Sequence, residues 1–231
     1  MQKTDGTEDR EIKGIMFDMD NTLFDLVEAK IASCEAIVNH IGTGDPDELL
    51  MYFLRPDHGF ESPENIRDYL RDKKVYSEFI FENCCKIYHD KKIDTIKLYP
   101  HVLETLALLR EQRISLFIVT DASHDNAHAR LEKLSLSELF DHIITSDMTG
   151  SSKPDIKVFH HALSRVGLRA EEVLFVGDSL RRDIEPAKKV GMITAHALYG
   201  DRNINEPCKV KADHILNNIM EIFNVKGIGQ Q

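Results

Sequence analysis

Short apolar runs alternate with amphipathic segments along most of the chain. Each run is rich in Ile, Val and Phe and ends in polar or turn residues, which is typical of strands buried on both faces of a parallel sheet. The segments between the runs repeat their apolar residues with helical period. The predicted strands are Ile12–Phe17, Ile114–Val119, His142–Thr145, Val173–Val176 and Met192–Ala197. This alternation predicts a doubly wound, Rossmann-like parallel-sheet α/β fold.

Residues 26–97 interrupt the alternation, because they show helical periodicity and no convincing strand. Their apolar positions form two stripes: Val27, Ile31, Cys34, Val38 and Ile41, followed by Ile66, Tyr69, Leu70, Tyr76, Phe79, Ile80, Cys84 and Ile87. The insertion follows the first strand and so leaves the sheet at its carboxyl end, where an open α/β sheet binds ligands. We therefore predict a core of residues 1–25 and 98–231 and a mobile α-helical cap of residues 26–97. A purely structural helical subdomain is the alternative.

Composition and charge narrow the classes of protein that this chain could represent. The 231 residues are 42% hydrophobic and carry a formal net charge of −10, which disfavours nonspecific binding to nucleic acid or anionic membranes. The amino terminus is polar, and no apolar run approaches the about 20 residues that span a bilayer. The four cysteines include no CxxC pair. We expect a cytoplasmic protein that binds neither nucleic acid nor membrane.

Acidic and polar side chains follow four of the predicted strands, and parallel strand ends converge on one crevice. These residues are Asp18, Asp20, Thr120, Asp121, Lys153, Asp178 and Asp183. Four of the carboxylates meet a single lysine, so a phosphate dianion would be repelled from the crevice unless a divalent cation offset part of the charge. The pattern therefore indicates a site for a cation or a reacting phosphate.

In this order the segments resemble the motifs of the haloacid dehalogenase (HAD) superfamily. DMDNT resembles its DxDxT motif, Thr120 and Lys153 take the places of its second and third motifs, and GDSLRRD resembles its GDxxxxD motif. The resemblance covers nearly the whole chain. It implies a HAD core with an inserted helical cap, and a Mg²⁺-dependent phosphatase that forms a phosphoaspartate.

The resemblance also implies a role for each residue at the phosphate. Asp18 would be the nucleophile, and Asp20 would protonate the leaving group and then deprotonate the attacking water. Thr120 and the backbone N–H of Asp121 would donate hydrogen bonds to phosphate oxygens. Lys153 would lie beside the phosphate and keep Asp18 ionised.

The metal ligands implied by the resemblance are oxygen atoms, as Mg²⁺ prefers. Asp18, the Asp20 backbone carbonyl and Asp178 would bind the ion directly. Asp183 would lie one layer further out, where it would fix the metal's waters or Lys153.

Three features of the sequence leave alternatives open. Asp121 stands where the family often has Asn, and an inward-pointing carboxylate there would repel phosphate. The pair Arg181-Arg182 fits a solvated helix face better than compensation of nearby carboxylates. In the predicted cap, Arg55 and His58 either contact the non-reacting end of the substrate or belong to an ordinary surface loop.

The implied reaction is hydrolysis of a small phosphorylated metabolite of the phosphoglycolate, triose or sugar phosphate, or nucleoside monophosphate class. A HAD phosphomutase is an alternative that only product analysis would exclude. A phospho-acceptor signalling module of the receiver type also combines strand-end aspartates with Thr and Lys. Receivers are much shorter and lack the insertion, which disfavours this reading.

Overall fold

The computed structural model describes residues 11–202 and 209–228, and the chain within them divides into two compact units. The α/β unit contains the chain up to Asp25 and from Leu98 onward, and the helical unit is Leu26–Lys97. Cys208 and the first ten residues lie outside the described residues.

A parallel sheet forms the centre of the α/β unit. Its strands are β1 (Gly14–Phe17), β2 (Ser115–Val119), β3 (His142–Ile144), β4 (Val173–Gly177), β5 (Ile193–Ala197) and β6 (His214–Leu216). Within the described residues these six strands pair in the order β3-β2-β1-β4-β5-β6, with β1 between β2 and β4. This is the strand order of a doubly wound sheet. The predicted fold class is confirmed.

The strands were predictable because the central ones are buried on both faces. All four residues of β1 and all five of β4 are buried, so their sequences read as continuous apolar runs. The sixth strand, β6, was not predicted from the sequence. It is a three-residue edge strand in which Ile215 is 60% exposed, so burial imposes no apolar run there.

The helical unit contains α1 (Leu26–Ile41), α2 (Pro46–Phe53), α3 (Glu64–Asp72) and α4 (Glu78–Thr95). Helix α2 begins with Asp45 accepting a hydrogen bond from the Glu48 N–H, and Pro46 occupies its first turn. Helix α4 also begins with a side-chain cap, since the Ser77 side chain accepts a hydrogen bond from a backbone N–H of the first turn. These local signals explain where α2 and α4 begin.

Parts of the two predicted stripes are wrong. Phe79 is 75% exposed because it lies in the first turn of α4, and Phe81 is buried instead. On α1, Cys34 is buried as predicted, but the buried face also contains Lys30 and Ser33. Apolar periodicity does not identify polar residues that are buried. The predicted stripe on α1 is therefore shifted by about one residue from the face that is buried.

The helices of the α/β unit are α5 (Val102–Glu111), α6 (His124–Lys133), α7 (Ser146–Thr149), α8 (Ile156–Val166) and α9 (Glu185–Lys189). Helices α5 and α8 pack against β2, and α9 packs against β5. Gly167 ends α8 in the left-handed conformation, with φ +70°. A π-helical turn, Leu180–Ile184, follows β4 and continues into α9. None of the helices in the described ranges is both long and apolar enough to cross a bilayer.

Candidate active site

The first site residue follows β1 directly and is held in line with it. The backbone N–H of Asp18 donates to the carbonyl of Val176 at 2.8 Å, which extends the pairing of β1 with β4 by one residue. The chain then turns, because Asn21 adopts φ +58° and the Leu23 N–H donates to the Met19 carbonyl at 2.9 Å. A turn over residues 19–23 therefore follows the first acidic residue.

Lys153 lies at the centre of the buried charges. Its Nζ donates to Asp18 Oδ1 at 2.6 Å and to Asp183 Oδ1 at 2.7 Å. Lys153, Asp18 and Asp183 are all buried. Asp18 is 135 positions and Asp183 is 30 positions from Lys153 in the sequence. Both contact the same ammonium group because the carboxyl ends of neighbouring parallel strands lie close together.

Asp183 has both carboxylate oxygens engaged. Oδ1 accepts from Lys153, and Oδ2 accepts from the Ser179 N–H at 3.0 Å. The close approach of Asp183 to β4 requires glycine at the end of that strand, since a Cβ on Gly177 would lie 2.6 Å from Asp183 side-chain atoms. This arrangement suits a residue that fixes Lys153.

A metal ion has a suitable set of donors beside Lys153. Among the described residues, one carboxylate oxygen each from Asp18, Asp178 and Asp183 lie within 4.8 Å of one another. The donors are hard oxygen atoms with net negative charge, which fits Mg²⁺ and not a soft metal. The Asp20 carboxylate is not part of this group, and binding of the ion by the Asp20 backbone carbonyl stays a prediction.

Burial and mutual repulsion disfavour the charged state of these carboxylates. Burial raises the pKa of Asp18 to about 7, and Asp183 and Asp20 add to the rise while Lys153 opposes it. Burial and the charge of Asp183 also raise the pKa of Asp178 well above its usual value. Burial acts to lower the pKa of Lys153, but the neighbouring carboxylates outweigh it and the pKa is raised. The lysine is a permanent cation, and a divalent ion would stabilise the ionised carboxylates further.

Thr120 lies at the end of β2 with its side chain buried. Its Oγ1 accepts a hydrogen bond from the Ala122 N–H at 3.1 Å. Since this bond uses an oxygen lone pair, the hydroxyl hydrogen can be donated to an anion.

The Asp121 carboxylate accepts hydrogen bonds from residues of two other motifs. Its Oδ1 accepts from the Lys153 N–H at 2.8 Å, and its Oδ2 accepts from the Arg182 guanidinium. The interpretation of Arg182 as part of a solvated face is therefore wrong, because its guanidinium compensates a carboxylate. Burial acts to lower the pKa of Arg182, but Asp121 and Asp183 raise it overall. Arg181 is exposed, as expected for a solvated position.

Asp20 has a partner that the sequence did not reveal. Nη1 of Arg130, a fully buried residue of α6, donates to both carboxylate oxygens of Asp20 at 2.7 and 2.8 Å. Arg130 shares the buried face of α6 with Ala127 and Leu131. The sequence signal for this contact was the position of a basic residue, Arg130, on the apolar face of α6.

His196 on β5 was also missed. Its Nε2 lies 2.9 Å from the backbone carbonyl of Asp178 and 3.0 Å from Asp201 Oδ2. The side chain is buried, so this imidazole supports the backbone that carries a candidate metal ligand. Its position inside the predicted strand Met192–Ala197 was the available sequence signal.

The residues predicted to bind substrate in the helical unit have partners within that unit. The Arg55 guanidinium stacks on Tyr52, with Cζ 3.4 Å from the ring centroid. His58 Nε2 lies 2.9 Å from Asp68 Oδ2. The assignment of Arg55 and His58 to substrate binding stays a prediction.

The chain is similar to known proteins over most of its length. Residues 15–197 match the family described as haloacid dehalogenase-like hydrolase. A glyceraldehyde 3-phosphate phosphatase of Methanocaldococcus jannaschii is 32% identical over 226 residues, covering 93% of this chain and 96% of that protein. A phosphoglycolate phosphatase of Neisseria gonorrhoeae is 28% identical over 219 residues, covering 92% of each chain.

A solved structure has the same fold. The HAD-hydrolase YfnB of Bacillus subtilis, crystallised with magnesium, superimposes with a TM-score of 0.75 at 19% identity. The alignment covers 94% of this chain and all of that one. The similarity extends over both units of the chain.

Proposed function

The chain belongs to the haloacid dehalogenase-like hydrolase family, and we propose that it hydrolyses a small phosphate monoester with Mg²⁺ through a phosphoaspartate at Asp18. It is a phosphatase of the HAD type that acts on small phosphate esters. The proposal rests on the contact of Lys153 with Asp18 inside a group of buried carboxylates.

In the first step, an Asp18 carboxylate oxygen attacks phosphorus and the bond to the leaving-group oxygen breaks. Lys153, 2.6 Å from Asp18, keeps the nucleophile charged and attracts the phosphate. Thr120 donates its hydroxyl hydrogen to a phosphate oxygen. The leaving oxygen takes a proton from Asp20.

In the second step, water hydrolyses the acyl phosphate. Asp20 accepts a proton from the water, whose oxygen bonds to phosphorus. Asp18 leaves as a carboxylate, and inorganic phosphate is released. Asp183 holds Lys153 in place through both steps.

Mg²⁺ fits the oxygen donors of Asp18 and Asp178, with the Asp20 backbone carbonyl as a further ligand. When bound, the ion would offset the charge on the phosphate oxygens. Asp183 would act through Lys153 and the metal's waters. Its engaged oxygens favour this outer role, although its carboxylate lies within the same group.

Two of the relatives favour particular phosphate esters as substrates. Their names specify a triose phosphate and phosphoglycolate, both small and charged. We therefore rank triose phosphates and phosphoglycolate above sugar phosphates and nucleoside monophosphates. The proposal assigns residues 26–97 to a cap that selects among these substrates, and residues 1–25 and 98–231 to the catalytic core. We also propose that the protein is cytoplasmic.

A phosphate-release screen over a metabolite panel tests the proposed function. We expect release from a triose phosphate or phosphoglycolate that stops when a chelator is added and returns with Mg²⁺. Asp18→Asn protein serves as the blank. Isomerised sugar phosphate without free phosphate would instead identify a phosphomutase, and equal release with and without chelator would refute the metal dependence.

Loss of Arg182 should weaken substrate binding, because it leaves the Asp121 carboxylate uncompensated beside the phosphate site. We expect Arg182→Met to raise KM about fivefold, a modest effect since the pair is partly exposed. The double variant Asp121→Asn/Arg182→Met should recover most of the loss.

The measurement is KM, together with the inhibition constant for inorganic phosphate. Arg181→Met is the matched control, because Arg181 is its exposed neighbour. If the double variant binds phosphate as weakly as Arg182→Met, charge compensation is not the role of Arg182.

The loop of residues 55–65 should affect substrate preference more than general hydrolysis. It is held by Asn65, whose Nδ2 donates to the carbonyls of Gly59 and Ser62 at 3.0 Å each, so its conformation is defined. Replacing Arg55 and His58 by Ala should raise KM for the best metabolite several-fold and leave kcat/KM for an aryl phosphate nearly unchanged. Equal losses on both substrates would contradict a specificity role.

A further inference from the structure

Arg130 is buried beside the acid–base residue of the proposed mechanism. It has no measurable exposure, and α6 brings it to Asp20, 110 positions earlier in the sequence. A guanidinium that leaves water is stable in a protein interior only when a carboxylate or several acceptors compensate it. The placement of Arg130 is therefore a specific arrangement and not an incidental surface contact.

The contact geometry fixes the carboxylate of Asp20. One nitrogen, Nη1, lies 2.7 Å from Oδ1 and 2.8 Å from Oδ2, so the cation is centred between the two oxygens. Charge-assisted hydrogen bonds of this length are stronger than those between neutral groups. They restrict the rotation of the Asp20 carboxylate.

A proton transfer requires the carboxylate to point at the group that gives or takes the proton. We propose that Arg130 is a positioning residue that orients Asp20 as the base for hydrolysis of the phosphoaspartate. This inference rests on the proposed function. It goes beyond that function by naming Arg130 as the residue that fixes the orientation of Asp20.

The supported step is balanced without any further reactant. The water oxygen bonds to phosphorus while the water proton moves to Asp20. The bond between phosphorus and the Asp18 oxygen breaks, and its electron pair stays with Asp18. Arg130 does not contact the reacting atoms in this scheme, so its effect passes through the orientation of Asp20.

An aryl phosphate separates the two steps, because its leaving group departs without a proton. With p-nitrophenyl phosphate, Arg130→Met should leave the formation of phospho-Asp18 nearly unchanged and slow its hydrolysis. We expect kcat to fall about thirtyfold, within the range of lost acid–base catalysis, while kcat/KM changes less than threefold. KM should fall in parallel with kcat.

Rapid-quench kinetics give a second readout. Arg130→Met should release a burst of nitrophenol close to one equivalent per active site, and acid-quenched protein should retain phosphate. Arg130→Lys keeps the charge, and because a single nitrogen makes both contacts, it should recover at least a third of the wild-type kcat. A purely structural role would lower kcat and kcat/KM together and would produce no burst.

The double variant Asp20→Asn/Arg130→Met completes the test. If Arg130 acts through Asp20, the double variant should hydrolyse its phosphoenzyme as slowly as Asp20→Asn. Additive losses would overturn the inference, as would a wild-type kcat in Arg130→Met. Should the methionine variant fail to fold, Arg130→Gln compared with Arg130→Lys decides, with a burst expected in the glutamine variant.

Failure of this inference is distinguishable from failure of the proposed function. If wild-type protein releases no phosphate with Mg²⁺, the function is wrong. If wild-type protein is active and both neutral variants at Arg130 lack a burst, only the role of Arg130 is wrong.

Discussion

Asp18→Asn is expected to lower kcat by at least about a thousandfold, the scale of losses on removing a catalytic nucleophile. The amide has nearly the same shape as the carboxylate but cannot attack phosphorus. Its carbonyl oxygen can still accept the hydrogen bond from Lys153, which also keeps its 2.7 Å contact with Asp183. The fold should therefore survive the change.

The measurements are phosphate release at saturating substrate, thermal melting, and trapping of phosphoprotein by acid quench. Wild-type protein should retain phosphate on Asp18 and the variant should not. Asp125→Asn is the matched control, because Asp125 is fully exposed on α6. Activity in Asp18→Asn above about a hundredth of wild type would remove Asp18 from the role of nucleophile.

Asp178→Ala is expected to raise the Mg²⁺ concentration for half-maximal activity by at least about tenfold. The substitution removes one of the clustered carboxylates, and losing even an indirect supporting contact at a metal site costs tenfold or more in affinity. At saturating Mg²⁺, part of the activity should return, since Asp18 remains.

Thermal melting gives a readout that does not depend on turnover. Mg²⁺ should raise the melting temperature of wild-type protein, because an ion that binds only the native state stabilises it. The shift should be much smaller for Asp178→Ala at the same Mg²⁺ concentration. Asp178→Asn should melt higher than wild type without metal, because it relieves repulsion among buried carboxylates. An unchanged metal titration in Asp178→Ala would exclude Asp178 as a ligand.

The sequence determined the candidate catalytic residues through strand order. Asp18, Thr120, Asp178 and the segment with Lys153 each follow a buried apolar run, and the carboxyl ends of parallel strands meet at one edge of the sheet. That rule needs no knowledge of side-chain packing. It therefore placed Lys153 with Asp18 correctly across 135 positions of sequence.

Packing decided the partners of these residues. Apolar periodicity identifies which face of α6 is buried but not which residue that face meets, so the pairing of Arg130 with Asp20 was not predictable. Likewise, the sequence marked Asp121 as unusual without revealing Arg182 as its counter-charge.

Amino-acid order alone established a doubly wound α/β fold, its helical insertion and the residues at the strand ends. Those features follow from the local preference of buried strands for apolar residues and from the geometry of parallel sheets. The tertiary structure alone decided that Arg130 faces Asp20 and that Arg182 faces Asp121. Such pairs join positions about 60 to 110 residues apart, and their contact depends on how helices pack on the sheet, which no local pattern encodes.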